Sequence, residues 1–138
     1  EEIEAILSRD TDSRLNLREK AAVDEWLSSD KGFHIMRDHP WHGTLILGGM
    51  WGMKKDTIPN FKEMIEQREK EDRYDTDQAF LREEVYPLIE DNAMVHDEFF
   101  AKSPFPTKRE GYQFVGQVFD ESDHSVYEHM LALKQAIG

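Results

Sequence analysis

Ile3-Glu4-Ala5-Ile6-Leu7-Ser8-Arg9-Asp10-Thr11-Asp12-Ser13-Arg14-Leu15-Asn16-Leu17-Arg18-Glu19 changes character twice within seventeen residues. Residues 3 to 7 are a short apolar run with strand character, Arg9 to Arg14 is a charged loop, and from Asn16 the apolar positions recur near the helical period. Asn16 with Glu19 three positions on has capping-box spacing, and Leu17, Ala21, Val23, Trp26 and Leu27 supply the apolar stripe. Asp30-Lys31-Gly32 stops this helix. A strand that feeds a helix through a loop is the repeating unit of layered α/β and α+β folds.

The rest of the chain continues that alternation. Phe33-His34-Ile35-Met36 reads as a strand, Asp38-His39-Pro40 as a turn, and Thr44-Leu45-Ile46-Leu47 as a second strand that enters the flexible run Gly48-Gly49-Met50-Trp51-Gly52. Thr57 and Pro59 start a helix with Phe61, Met64 and Ile65 on its apolar side, followed by the solvated charges of Glu66 to Arg73. Asp75 and Gln78 predict the start of another, with Phe80, Leu81, Val85, Leu88 and Ile89 buried. Ala93 to Val95 is a short strand ending at His96-Asp97, and Ser103-Pro104-Phe105-Pro106 is irregular because each proline disfavours helix before it. Phe114 to Phe119 reads as a strand and Ser122 to Ile137 as a closing helix. The expected fold is α/β, a short mixed sheet flanked by helices, in one domain spanning residues 1–138.

Composition narrows the function. The chain of 138 residues carries 29 acidic and 17 basic side chains, a formal charge of −12. That field opposes nucleic-acid backbones and anionic membranes, and a phosphorylated ligand needs a basic pocket or a divalent cation to offset it. The absence of cysteine excludes disulfides and thiolate chemistry and fits a cytoplasmic setting. No stretch is long and apolar enough to predict a membrane span, and the first residues do not resemble a signal peptide. The aromatic content, with 8 Phe, 4 Tyr and 3 Trp, is that of a folded domain.

Three clusters carry chemistry. Asp10 and Asp12, at i and i+2 in a loop after a strand, can present oxygens to one hard cation such as Mg²⁺ or Mn²⁺. The same tripeptide at Asp75-Thr76-Asp77 has a plain alternative, because Asp75 serves as a helix cap and Asp77 favours a helix N-terminus. Asn16 already caps the first helix, which leaves Asp10 and Asp12 without that local role, although ion pairs with Arg9, Arg14 and Arg18 are a structural alternative. Next, Arg37-Asp38-His39-Pro40-Trp41-His42 holds two histidines and a tryptophan; His39 is a candidate acid/base or phosphate donor. Trp41 and Trp51 are sugar-stacking surfaces or core residues. Finally, Met94-Val95-His96-Asp97 ends an apolar segment with a histidine that is a candidate ligand or hydrogen-bond donor, or else a capped strand end.

The ordered series Arg9-Asp10-Thr11-Asp12-Ser13-Arg14, Arg18-Glu19, Ala22 to Trp26, Ile35 to Pro40, Ile46 to Gly52, Asp77-Gln78, Phe80-Leu81, Tyr86-Pro87, His96-Asp97, Phe105-Pro106, Lys108-Arg109 and Phe114-Val115-Gly116 resembles a group of GT-A-type glycosyltransferases from bacteria and large viruses. The likeness runs from about residue 9 to residue 119. It implies transfer of a sugar from a nucleotide-sugar donor to a carbohydrate acceptor hydroxyl, with Mn²⁺ or Mg²⁺ held by Asp10 and Asp12 and completed by His96. It further implies Asp77 as general base, with Arg9, Arg14, Arg37 and His39 on the donor phosphates. Trp41, Trp51, Gly49 and Asp97 fall on the acceptor side. Such enzymes carry a nucleotide-binding half before the D-x-D motif, and only about nine residues precede it here. The expectation is therefore the catalytic, acceptor-side part of that fold, with a free sheet edge suited to homodimerisation. The alternative is a carbohydrate-binding or assembly domain that kept the shape without the reaction.

Overall fold

The computed structural model describes residues 5–10, 16–70, 77–109, 111–119 and 126–137. Its core is a four-stranded sheet of order β1-β3-β2-β4, built from β1 (Ala5–Arg9), β2 (Phe33–Arg37), β3 (Met50–Lys54) and β4 (Ala93–Asp97). Strands β1 and β2 each pair antiparallel with β3, and β2 pairs parallel with β4. Three strands thus run one way and β3 runs against them. The expected α/β class with a mixed sheet is what forms.

Alternation along the strands sends side chains to two different cores. Phe33, Ile35, Trp51 and Met53 meet Ile46, Ile58, Phe80, Leu81, Val85 and Ile89 on one face. The second face carries a smaller cluster of Ala22, Met36, Met50, Phe105 and Val115. Helix α1 (Leu17–Leu27) covers this second face with Ala22, Val23 and Trp26, and Asn16 accepts the Glu19 backbone N–H as the capping spacing predicts. Helices α2 (Phe61–Lys70), α3 (Asp77–Phe80) and α4 (Tyr86–Ile89) cover the first, and α5 (Tyr127–Ile137) closes the chain.

Between α3 and α4, residues Leu81–Val85 form a π turn, in which the Tyr86 N–H reaches the Leu81 carbonyl. Pro87 has no N–H to donate, and the wide turn lets the chain pass a proline without breaking the buried stripe of Leu81, Val85 and Ile89. The Asp75 cap lies outside the described residues.

Two expected strands are not strands. Thr44 to Leu47 bends instead of pairing, and the strand lies further on, at Met50–Lys54. Here tertiary contacts override β-propensity. Arg37 takes the Leu45 carbonyl with Nη2 at 2.9 Å and pins the connection, while Ile46 is fully buried without a strand partner. Residues 114–117 turn through Gly116 at φ +81°, and the Val115 N–H goes to the Asp38 carboxylate, so Phe114 to Phe119 does not form the predicted strand.

Gly52 is the contact on which α1 docks. It sits opposite Leu7 in β1 and His34 in β2, and a Cβ added there would lie 2.8 and 2.9 Å from two atoms of the Trp26 ring. Trp26 is fully buried and stacks on His34 with ring centroids 5.1 Å apart. Neither ring can retreat, so Gly52→Ala is expected to destabilise the protein by roughly 1–3 kcal/mol, the usual range for overpacking. A urea midpoint unchanged from that of the parent would refute the contact.

Candidate functional site

Because β1, β2 and β4 point the same way, their carboxyl ends share one rim. Along it stand Arg9-Asp10, Arg37-Asp38 and His96-Asp97, together with Gly48-Gly49 at the start of β3. In open α/β sheets this is where ligands bind. Asp10 is exposed on that rim, and its carboxyl group occupies the space that a Cβ on Gly49 would fill, with atoms 2.5–2.6 Å from that position. Gly49 thus acts as the seat of Asp10. Asp12 and Arg14 lie outside the described residues. Asp77 opens α3, but its side chain is likewise outside them.

The middle of the rim is held by charge. Asp38, fully buried, accepts hydrogen bonds from Arg18 Nε at 2.8 Å and Nη2 at 3.0 Å, from Arg109 Nη2 at 2.6 Å, and from the Val115 N–H at 2.8 Å. Glu98 bridges the same two arginines, at 2.6 Å from Arg18 and 3.0 Å from Arg109. Burial opposes the charge on Arg18, but Asp38 and Glu98 outweigh it and raise its pKa above the ordinary value. Arg18 also donates to the Thr107 carbonyl and lies over the Phe105 ring at 4.2 Å. The segment from Glu98 to Val115 is therefore fastened to α1 and the end of β2.

Several expected site residues are committed to this framework. Arg37 Nη1 bonds Asp97 at 2.7 Å and its Nε and Nη2 bond the Leu45 carbonyl, so it braces the β2–β3 connection instead of facing a donor phosphate. Asp97 caps the chain after β4 by accepting the backbone N–H groups of Phe99, Phe100 and Ala101. Burial would raise its pKa, but those three bonds and Arg37 lower it. It is a structural carboxylate, not an acceptor contact. Arg9 bonds Glu19 at 3.1 Å and the carbonyls of Ser8 and Trp51. Trp51, expected as a possible stacking surface, is 9% exposed and lies parallel to Phe33 at 5.4 Å in the core.

His96 also points inward. Its Nε2 lies 2.6 Å from Glu25 Oε1 and its Nδ1 lies 2.7 Å from His34 Nε2, so neither ring nitrogen is offered to Asp10. Among the described residues, no three side chains of His, Cys, Asp or Glu form a group able to hold a metal ion. His96 does not fit as a further ligand to a cation at Asp10, because both its ring nitrogens are engaged.

His39 is held at both ring nitrogens: Nδ1 accepts the Trp41 N–H at 3.1 Å, and Nε2 donates to the His129 carbonyl at 2.6 Å on α5. It positions Trp41 instead of acting on a phosphate. Trp41 itself is 58% exposed, with the rings of His39 and His129 set against it at 5.2 and 5.3 Å. Sequence reasoning missed Arg18, Asp38, Glu98 and Arg109 as a cluster, and His129 as the neighbour of Trp41, because the partners are separated by up to 90 positions. The one available signal was an aspartate one residue after the mostly apolar run Phe33-His34-Ile35-Met36, a place where a carboxylate needs partners.

No family model, curated protein or solved structure matches the chain. Among the described residues, no helix is long and apolar enough to cross a membrane.

Two measurements probe this site's framework. Asp38→Asn leaves the buried Arg18 and the partly buried Arg109 short of a counter-charge and is expected to cost roughly 3–5 kcal/mol. Glu98→Gln, at a more exposed position, is expected to cost about 1 kcal/mol or less. Equal losses in denaturant titrations would contradict the central role of Asp38.

The histidines predict a pH dependence. Burial, then His96 and Arg9, depresses His34 from 6.5 to about 3, and burial with His39 and His129 does the same to His42. Between these values only the unfolded chain takes up the protons. Stability is therefore full above pH 6.5 and drains as pH falls toward 3, by roughly 1.4 kcal/mol per unit for each histidine. Thermal unfolding followed from pH 7 down to pH 5, above the range in which carboxylates titrate, should show a falling Tm. A flat profile over that interval would be inconsistent with two neutral buried imidazoles.

Proposed function

We propose that this chain is the catalytic, acceptor-side part of a metal-dependent glycosyltransferase, which moves a sugar from a nucleotide-sugar donor to an acceptor hydroxyl. The observation that carries the reading is the exposed carboxylate of Asp10, seated on Gly49 at the rim where three like-directed strands end. A divalent cation held there supplies countercharge to the departing diphosphate, which a chain of charge −12 otherwise repels.

The chain's own residues have separate tasks in this reading. Asp10, with Asp12 beside it in sequence, offers hard oxygen ligands. Arg9 holds the end of β1 against β3 through the Trp51 carbonyl and so orients Asp10. Trp41 presents an apolar ring face of the kind that stacks on a sugar. Asp77, at the start of α3, is assigned as the base that takes the acceptor proton, which its place in the resemblance supports. His96 is left out of the metal shell because both its nitrogens are engaged. The outer edge of β1, which pairs with no further strand among the described residues and where Ile6 and Leu7 are about half exposed, is the surface this reading gives to a second copy.

Mn²⁺ with UDP or GDP is expected to raise the Tm by a few degrees, and Asp10→Ala or Asp12→Ala to remove that shift. Absence of any shift in a well-folded sample, across nucleotides, would end the donor-binding claim. The exposed Trp41 favours one second reading, a carbohydrate-binding domain without transfer activity. That reading expects sugar-dependent quenching of tryptophan fluorescence, lost in Trp41→Ala, with no response to metal and nucleotide.

A further inference from the structure

Helix α1 buries one face and leaves an ordered set of groups on the other. Arg18, Glu19, Ala22, Val23 and Trp26 are buried. Leu17, Lys20, Asp24 and Leu27 are exposed, at spacings of three, four and three residues. That is the spacing of a coiled-coil seam, and it places all four on one stripe of the helix. The two leucines are 75% and 46% exposed, which is unusual for ends of a stripe that no other element covers. Between them Lys20 Nζ bonds Asp24 Oδ2 at 2.6 Å, so the stripe is locally neutral on a chain of charge −12.

The order apolar, cation, anion, apolar is complementary to itself when the helix is turned end for end. An antiparallel copy that sets Leu17 against Leu27 of the second copy also sets Lys20 against Asp24 of the second copy, because both pairs share one midpoint, at Ala22. Every contact then occurs twice about a two-fold axis. A parallel copy would set lysine on lysine and aspartate on aspartate, so like charges disfavour it. Beside the stripe lies a groove of about 520 Å³ between α1 and β1, with Leu7, Leu17, Lys20 and Val23 among its walls. Leu27 of the second copy, opposite Leu17, falls at this groove.

We propose that α1 is the contact surface of a homodimer, in which two copies pair antiparallel through Leu17, Lys20, Asp24 and Leu27. Lys20 and Asp24 of both copies form a ring of alternating charge. An ammonium has three donors and a carboxylate several acceptor sites, so the bond within each helix and the bond between helices are made together. A leucine pair at each end shields the ring from water. Three turns of helix make a short seam, and stable interfaces bury upward of about 1,000 Å², so the groove walls must add area and dilution separates the copies. The proposed function sets a second copy against the edge of β1; this inference rests on that part of it alone and assigns the contact itself to α1, across the groove.

Mass in solution, followed by analytical ultracentrifugation over a range of concentrations without metal or nucleotide, tests the contact. The unmodified chain should rise from the mass of one chain toward that of two. Lys20→Asp gathers four carboxylates at the seam and Asp24→Lys four ammonium groups, so each variant should stay at the mass of one chain. Both positions are exposed, and far-UV circular dichroism should confirm that the variants fold. An equimolar mixture of the two should return to the mass of two chains, because every charge again meets its opposite. An unmodified chain that stays single at all concentrations, or a mixture that does not associate, would overturn the proposal. Dimers that persist in both variants would also overturn it and leave the second copy to the edge of β1. Donor binding is read separately, by the response to Mn²⁺ with nucleotide, so failure of this contact and failure of the sugar-transfer reading are told apart.

Discussion

Asp38 is the group on which the arrangement of the rim depends. A carboxylate with no exposed surface is tolerable only when charge and hydrogen bonds replace the water it has lost. Two arginines and one backbone N–H do this, and they come from three separate places: α1, the segment after β4, and the turn at Val115. Fulfilling one buried charge therefore ties together parts of the chain that share no regular hydrogen bonding. Glu98, bonding the same arginines, makes the cluster electrically balanced, two cations with two anions. Such a cluster adds little net stability over an apolar substitute, but it disfavours other arrangements of the irregular segment, because each would strand a charge.

A second polar line runs under α1, and it follows a different rule. The pair of histidines and Glu25 carries directional hydrogen bonds in an interior where imidazole charge is disfavoured. Trp26, Gly52 and His34 are interdependent in this layer: the indole needs the glycine to approach the sheet, and the imidazole gives the indole a stacking face. Together the two polar systems explain how an acidic chain retains a packed interior. Among the described residues, the buried carboxylates of Glu19, Asp38 and Asp97 are each matched by an arginine.

The strand-helix alternation was legible, because periodicity and capping are local properties. Asn16 caps α1 as its spacing predicts, and the strands at Phe33 and Ala93 appear where apolar runs predict them, each reaching further toward the rim. Thr44 to Leu47 was misread because its propensity favours a strand while Arg37 holds Leu45 in a bend. Phe114 to Phe119 was misread because Val115 is drawn to Asp38 across 77 positions. At the site, Asp10 and Trp41 are exposed where a ligand can meet them, whereas Arg37, His39, Trp51, His96 and Asp97 serve the scaffold. Residue type alone does not separate the two groups, since the same arginine or histidine serves a phosphate or a neighbouring carbonyl equally well.

By itself, the sequence determined the layered α/β class, the position of α1 with its cap, and a net charge of −12. These follow from spacing, composition and charge, which need no partner to be read. Tertiary structure alone decided the sheet order β1-β3-β2-β4, the gathering of Asp10, Asp38 and Asp97 along one rim, and the inward turn of His96. The physical reason is that a polar side chain's role is set by which donors and acceptors reach it. For Asp38, His39 and His96 those partners lie 20 to 90 residues away.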